Sequence, residues 1–484
     1  MSLMTDTYAY YAQKEPNRLA IQDERGRITY SEWHQRVQQA ASWINRHAID
    51  RKRVAFLLSN CTSFLQVFAG AAAAGVTAIP LDPRWSQAEC LQRLTLSGAD
   101  LVIVEERYMK KIENIQIPSY LLLDWEHEVR CEQTNDAFPF VTDRNPMFYM
   151  GFTSGSTGSP KAFVRGQQSW MESFRMTAAA FGISEHDHVL ILGTLLSSHF
   201  LYGAISTLYF GGSVTLLEKF STEKVKLMLQ ENDITALYTV PTMTQALLSN
   251  RSLYDRPFKM ISTGAEWSQA SKKKLKSTYP MITFYDFYGT SELSFVSYLS
   301  SNDNHVTSES VGKPFPNVSI SIKREDGSDC GPNETGRIYV NSPMRFSGYL
   351  HEKQKADEWL TVYDMGYIDQ EGYLYMKGRE NGMIVYGGLN IFPEEIERVL
   401  NVQPEVNRSL VIGMKDAYWG EIPVAVIEGN CQVNQLKQAC KAVISPYKIP
   451  KKWVVTEKMI ETSGGKIARA KMKDWVKEQL TWRQ

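Results

Sequence analysis

The sequence carries no surplus charge: 53 Lys and Arg stand against 53 Asp and Glu, for a formal net charge of zero. Composition therefore supplies neither the basic surface that follows a nucleic acid nor one that adheres to anionic lipid, and an anionic ligand must be held by a local site. Cysteine is sparse and unpaired, with Cys61, Cys90, Cys131, Cys330, Cys431 and Cys440 scattered and no CxxC among them. That excludes a disulfide framework and a cysteine-based zinc site, and suits reduced thiols. The longest apolar run, VFAGAAAAGVTAIPL at 67–81, falls short of a bilayer span and is broken by Gly70, Gly75 and Pro80. A buried helix leading into a short strand is expected there, with no stable membrane insertion. Asp6, Lys14 and Glu15 lie where a secretory signal needs an apolar core, so a cytoplasmic protein is expected. The HDH at 186–188 lacks HExxH or Cys/His companions and reads as a turn with surface histidines.

What is present is enough chain, 484 residues, for two or more domains. Short apolar runs at 54–59, 99–105, 188–193, 213–218 and 236–240 read as buried strands, separated by helix-length amphipathic segments such as 221–233. This alternation predicts an α/β fold with parallel sheets. From about residue 310 alternating runs and the turn cluster DGSDCGPNETG point to hairpins, and from about 382 the strands 409–413 and 422–429 with helices 393–401 and 435–445 suggest a separate α+β domain. The expected division is 1–380, with a β-rich part at 310–380, followed by 381–484.

Several stretches carry candidate chemistry. TSGSTGSPK at 153–161 is either a flexible Gly/Ser linker or a loop whose N–H groups and hydroxyls surround phosphate oxygens, with Lys161 adding charge. It is not the GxxxxGK[ST] loop, since Pro160 replaces the second glycine and Ala162 follows the lysine. DFYGTSE at 286–292 is either a strand end and turn, or a segment in which Tyr288 stacks on a base and Glu292 holds Mg²⁺. STGAEWS at 262–268 ends a strand with small residues, for a turn or a close backbone approach. Asp364 and Arg379 bracket a hairpin; the carboxylate can accept bonds from ribose hydroxyls, or the two form a surface ion pair. Gly387 and Gly388 precede a helix, Lys466 follows two glycines near the C-terminus, and His199 sits in an apolar aromatic context.

In order and spacing these motifs resemble the adenylate-forming (ANL) superfamily of acyl-CoA synthetases, carrier-loading adenylation enzymes and luciferases, over nearly the whole chain. The resemblance implies a large N-terminal domain of parallel α/β sheets with a small β-barrel, joined to a smaller mobile α+β C-terminal domain. It also implies a two-step reaction: a carboxylate attacks the α-phosphate of ATP, giving acyl-AMP and pyrophosphate, and a thiol then displaces AMP. On that resemblance Thr153, Ser154, Gly155, Ser156, Thr157, Gly158 and Lys161 hold the β- and γ-phosphates. Gly264, Ala265, Glu266 and Asp286 line the adenine and Tyr288 stacks on it, with Gly289 and Thr290 in the same segment. Ser291, where the family usually has threonine, bonds the α-phosphate, and Glu292 binds magnesium. Asp364 and Arg379 take the ribose, Tyr363 replacing the glycine usual before the aspartate. Asn381 is the hinge, Gly387 and Gly388 line the CoA channel, His199 lies near the acyl pocket and thiol route, and Lys466 is the catalytic lysine.

The expectation is an ATP-dependent acyl-CoA ligase for a fatty or aryl acid, using ATP, Mg²⁺ and CoA. The alternatives are an enzyme that loads a carrier-protein thiol and a non-catalytic nucleotide or acyl binder.

Overall fold

The computed structural model describes residues 3–133, 145–154, 160–249, 256–263, 269–303, 309–350, 358–386, 389–416, 419–444, 446–462 and 465–481. The chain divides into two compact units, 1–319 with 340–360, and 320–339 with 361–484.

The first unit is built on two sheets. One has nine strands, in the order Lys313–Pro314, Ser294–Ser300, Ile282–Thr290, Phe258–Thr263, Ala236–Thr239, His188–Ile191, Ser213–Leu216, Leu19–Asp23 and Gly26–Thr29. Its six central strands, from Ile282–Thr290 to Leu19–Asp23, run parallel. The other has seven strands, in the order Gly348–Tyr349, Pro160–Gly166, Met147–Ser154, Thr77–Pro80, Arg53–Leu57, Leu101–Val104 and Ser119–Leu121. Strands buried on both faces read as unbroken apolar runs, which is why Arg53–Leu57 and Leu101–Val104 were visible in the sequence. Asn60 ties the sheets together: its Nδ2 donates to the carbonyls of Gly193 (2.8 Å) and Leu217 (3.1 Å), and its Oδ1 accepts from Leu195 N (2.9 Å).

The run at 67–81 is the expected helix and strand, Thr62–Ala73 and Thr77–Pro80. Gly70 is there because of packing: a Cβ on it would meet the Ala40 Cβ at 2.6 Å, on the neighbouring Tyr30–His47 helix. That neighbour starts at a capping box, with Thr29 Oγ1 accepting from Glu32 N and the Glu32 carboxylate from Thr29 N, so two otherwise orphaned donors are satisfied.

The β-rich stretch forms a four-stranded sheet ordered Ser319–Lys323, Gly336–Asn341, Asp364–Ile368 and Leu374–Arg379. In the second unit, Val406–Asp416 and Gly420–Gly429 pair antiparallel, Lys452–Thr456 adds in parallel, and the Pro393–Asn401 and Val433–Val443 helices contribute Ile396, Leu400, Leu436 and Cys440 to one core. Among the described residues no helix is long and apolar enough to cross a membrane.

Candidate active site

In the first unit the phosphate-loop candidate is spanned by a hairpin. Met147–Ser154 and Pro160–Gly166 pair antiparallel, with Thr153 opposite Lys161 and Ser154 opposite Pro160. Gly155, Ser156, Thr157 and Gly158 lie outside the described residues, as does the Ser154 side chain. The exposed Lys161 places its ammonium 4.9 Å from the centre of the Tyr349 ring. The Tyr349 hydroxyl donates to Glu292 Oε1 at 2.9 Å, so one tyrosine touches both the loop lysine and the magnesium candidate. Among the described residues Lys161 and Glu292 make no ion pair with each other.

Two residues that the sequence did not single out hold this arrangement. Arg165, four positions after Lys161, is 3% exposed and donates through Nη1 to Ser291 O (3.1 Å), and through Nη2 to Met344 O and Ser169 Oγ (3.4 Å). Burial pushes its guanidinium down to about 10, offset by Tyr149, Tyr202 and Glu292 nearby. The other is Tyr349. The signal for Arg165 was a charge inside the apolar strand AFVRG; Tyr349 had none, being one tyrosine among 24.

DFYGTSE is mostly strand. Ile282–Thr290 carries Asp286 opposite Ser262 and Tyr288 opposite Ser297, and the register shifts between Tyr288 and Gly289. A Cβ on Gly289 would lie 2.1 Å from the Ser294 carbonyl oxygen, so this bulge requires glycine. Thr290 Oγ1 accepts from Leu293 N (3.1 Å), and Phe346 N donates to Glu292 O (2.8 Å), so the turn bearing Ser291 and Glu292 is fixed from both sides. Thr263 Oγ1 donates to Phe287 O (2.7 Å), tying the end of Phe258–Thr263 to the same strand. Gly264, Ala265 and Glu266 lie outside the described residues.

His199, on the Ser198–Tyr209 helix, is buried among Phe200, Tyr238 and Phe287, with ring centres 4.9, 5.1 and 5.6 Å away. Its Nε2 lies 2.9 Å from the Thr239 carbonyl oxygen, which can only accept, so the proton is on Nε2. Nδ1 is buried without a partner among the described residues, and burial lowers the pKa to about 4. The imidazole is neutral at physiological pH.

In the second unit, Asp364 and Arg379 face each other across the hairpin of Asp364–Ile368 and Leu374–Arg379. Arg379 Nε donates to Asp364 Oδ1 at 2.7 Å; the carboxylate is buried while the guanidinium side chain is 60% exposed. Tyr363 has φ 63°, the left-handed region where glycine is unstrained, and its ring lies 5.3 Å from the Arg337 guanidinium. Asn381 falls in the short helical turn Glu380–Gly382, and Gly387 and Gly388 lie outside the described residues. Lys466 is exposed on a tight turn: Thr462 N donates to Lys466 O (2.7 Å), Gly465 N to Thr462 O (3.0 Å), and Gly465 has φ 75°. Among the described residues its ammonium has no ion pair.

Among the described residues no group of three or more His, Cys, Asp and Glu gathers as a metal site. A single carboxylate such as Glu292 still fits magnesium, which binds through one or two carboxylates together with substrate phosphates. HDH is split by the fold: the His186 side chain is 83% exposed as expected, but His188 begins a strand, Nε2 2.7 Å from Thr215 Oγ1, and burial lowers it to about 4.

Against known proteins, the AMP-binding enzyme family matches residues 9–350 and the AMP-binding enzyme C-terminal domain matches 395–466. The chain is 53% identical over 480 residues to the protein of Bacillus subtilis (strain 168) named "Uncharacterized acyl--CoA ligase YhfT", covering 99% of this chain and 100% of that one. It is 27% identical over 485 residues to the 2-succinylbenzoate--CoA ligase of the same strain, covering 97% of each chain. Among solved structures, the Bacillus subtilis o-succinylbenzoate CoA synthetase with ATP and magnesium superposes with TM-score 0.86 at 26% identity, covering 96% of this chain and 98% of that one.

Proposed function

Because the chain belongs to the AMP-binding enzyme family in both its main and its C-terminal parts, we propose that it is an ATP-dependent acyl-CoA ligase for a fatty or aryl carboxylate. The observation that carries this reading is the presence together of Lys161 and Glu292 in one unit and of the Asp364–Arg379 pair and Lys466 in the other. A non-catalytic binder has no need of all of them.

In the first step Lys161, Thr153 and the loop between them hold the leaving pyrophosphate end of ATP. Magnesium, when bound, neutralises phosphate charge, and Glu292 is the oxygen ligand that would hold it. The Asp364 carboxylate accepts from the ribose hydroxyls, and Arg379 keeps it oriented. Tyr288 stacks on the base beside Asp286 and the 264–266 segment, and Ser291 donates to the α-phosphate. Lys466 brings an ammonium to the point where the substrate carboxylate and the α-phosphate, both anionic, must meet; charge accumulates there in the transition state. His199 is a neutral wall of the acyl pocket and leaves proton transfer to other groups.

In the second step the 381–484 domain swivels at Asn381, Lys466 withdraws, and Gly387 and Gly388 leave room for the pantetheine arm of CoA. The enzyme works in the cytoplasm, where ATP and CoA are available.

The test follows pyrophosphate release with ATP, Mg²⁺ and a panel of fatty and aryl acids, with and without CoA. The reading expects CoA thioester from at least one acid. Acyl-adenylate with no thioester would sink the CoA assignment in favour of a carrier-protein thiol, and no adenylate from any acid would leave only binding.

A further inference from the structure

Nothing in the proposed reaction uses Tyr349, yet Lys161 and Glu292, two charged site candidates of the first unit, both meet it. Lys161 lies 4.9 Å from its ring centre, and its hydroxyl donates to Glu292 Oε1 at 2.9 Å. We propose that Tyr349 is a positioning residue that keeps the Lys161 ammonium and the Glu292 carboxylate apart, each poised for its own part of a magnesium nucleotide. This rests on the reading of Glu292 as the magnesium ligand and Lys161 as the phosphate lysine.

The backbone fixes the tyrosine tightly. Gly348 and Tyr349 pair antiparallel with Val164 and Phe163 of the strand that begins with Pro160 and Lys161. Ser347 N donates to Val164 O (2.9 Å) and Leu350 N to Ala162 O (2.7 Å), closing the ladder on both sides. Gly348 has φ 125°, a conformation that side chains rarely adopt, and it introduces the tyrosine. The Phe346 ring meets Tyr349 edge-on at 5.2 Å and 85°, and the Phe346 N–H holds the Glu292 carbonyl. Arg165, on the same strand as Lys161, grips the carbonyl of Ser291 beside Glu292. One short segment thus fastens the strand that follows the phosphate loop to the turn that carries the carboxylate.

The chemistry of tyrosine suits this role. Its ring face attracts a cation without neutralising it, and its hydroxyl occupies one carboxylate oxygen without bringing a positive charge. A lysine and a glutamate on one site would otherwise pair, and each would have to break that pair before meeting phosphate or magnesium. Through Tyr349 both are held in place and both keep their full charge for the ligand.

The test is calorimetric binding of a nonhydrolysable ATP analogue to the full chain at graded Mg²⁺ concentrations, alongside thermal melting. Tyr349→Phe keeps the ring and removes the hydroxyl; it is expected to melt like the parent and to raise the Mg²⁺ concentration needed for half-maximal binding about ten- to a hundredfold, the usual effect of one lost hydrogen bond to a charged group. Tyr349→Leu removes both contacts and should also weaken binding measured without Mg²⁺, through Lys161. Glu292→Gln is the control for the underlying reading. If Glu292→Gln changes the Mg²⁺ dependence and Tyr349→Phe leaves it at the parent value, the positioning role is overturned while the ligand assignment stands. If Glu292→Gln has no effect, both fall.

Discussion

Replacing His199 with Gln should remove a large share of the acid sensitivity of the first unit. The imidazole is neutral in the folded chain because burial lowers its pKa from the ordinary 6.5 to about 4. Between those two values the unfolded chain binds a proton that the folded chain refuses, so stability falls as pH falls. The contribution is complete above pH 6.5 and is lost as pH drops toward 4. A displacement of that size corresponds to roughly 3 kcal/mol in all, of which roughly 2 kcal/mol is lost by pH 5. Glutamine does not titrate and can extend an amide N–H toward the Thr239 carbonyl that Nε2 now meets at 2.9 Å. Urea unfolding at pH 7, 6 and 5 should therefore show the parent losing about 2 kcal/mol more than His199→Gln. His188, also lowered to about 4, remains in the variant and leaves a residual slope. Parallel losses in parent and variant would refute the reasoning, since they require an imidazole that can be protonated without cost in the folded state.

Lys466→Ala should reduce acyl-adenylate formation by a factor of about a hundred to a thousand, the usual loss of a preorganised electrostatic group. Thioester formation from supplied acyl-adenylate should stay near the parent rate, and equal loss in both assays would contradict the withdrawal of Lys466 between steps. Gly289→Ala forces a methyl against the Ser294 carbonyl oxygen, so the hairpin must shift; a stability loss of about 1–3 kcal/mol in urea unfolding is expected, and a neutral outcome would contradict the close approach. At Tyr363, held at φ 63°, Val should lower the unfolding free energy by roughly 1–2 kcal/mol more than Gly does, because a β-branched residue resists the left-handed region; equal effects would refute that.

Much of the framework was legible in the sequence because buried parallel strands cannot hide. The runs at 188–193 and 213–218 became the strands His188–Ile191 and Ser213–Leu216, and the segment at 221–233 became the Thr222–Glu231 helix. The meaning of Tyr363 was half legible: its place before Asp364 was marked as unusual, and the positive φ gives the reason that glycine is usual there. His188 was misread as surface because strand pairing half-buries it beside Thr215, a partner 27 positions away. Arg165 and Tyr349 were missed for a related reason. Their importance comes from Ser291 and Glu292, more than fifty positions from either, and no local pattern encodes a contact of that range. The pairing of Asp364 with Arg379, by contrast, was readable because both sit on one hairpin.

The hairpin of Met147–Ser154 and Pro160–Gly166 separates making the molecule from making it work. Its legs are interior strands of a seven-stranded sheet, held by Thr77–Pro80 on one side and Gly348–Tyr349 on the other, so each leg is fixed by pairing along its own length. A protease site substituted between the legs would let the backbone be cut after folding, with the two halves still joined by the ladder. The nicked protein should keep its melting temperature and lose only what the intact loop contributes.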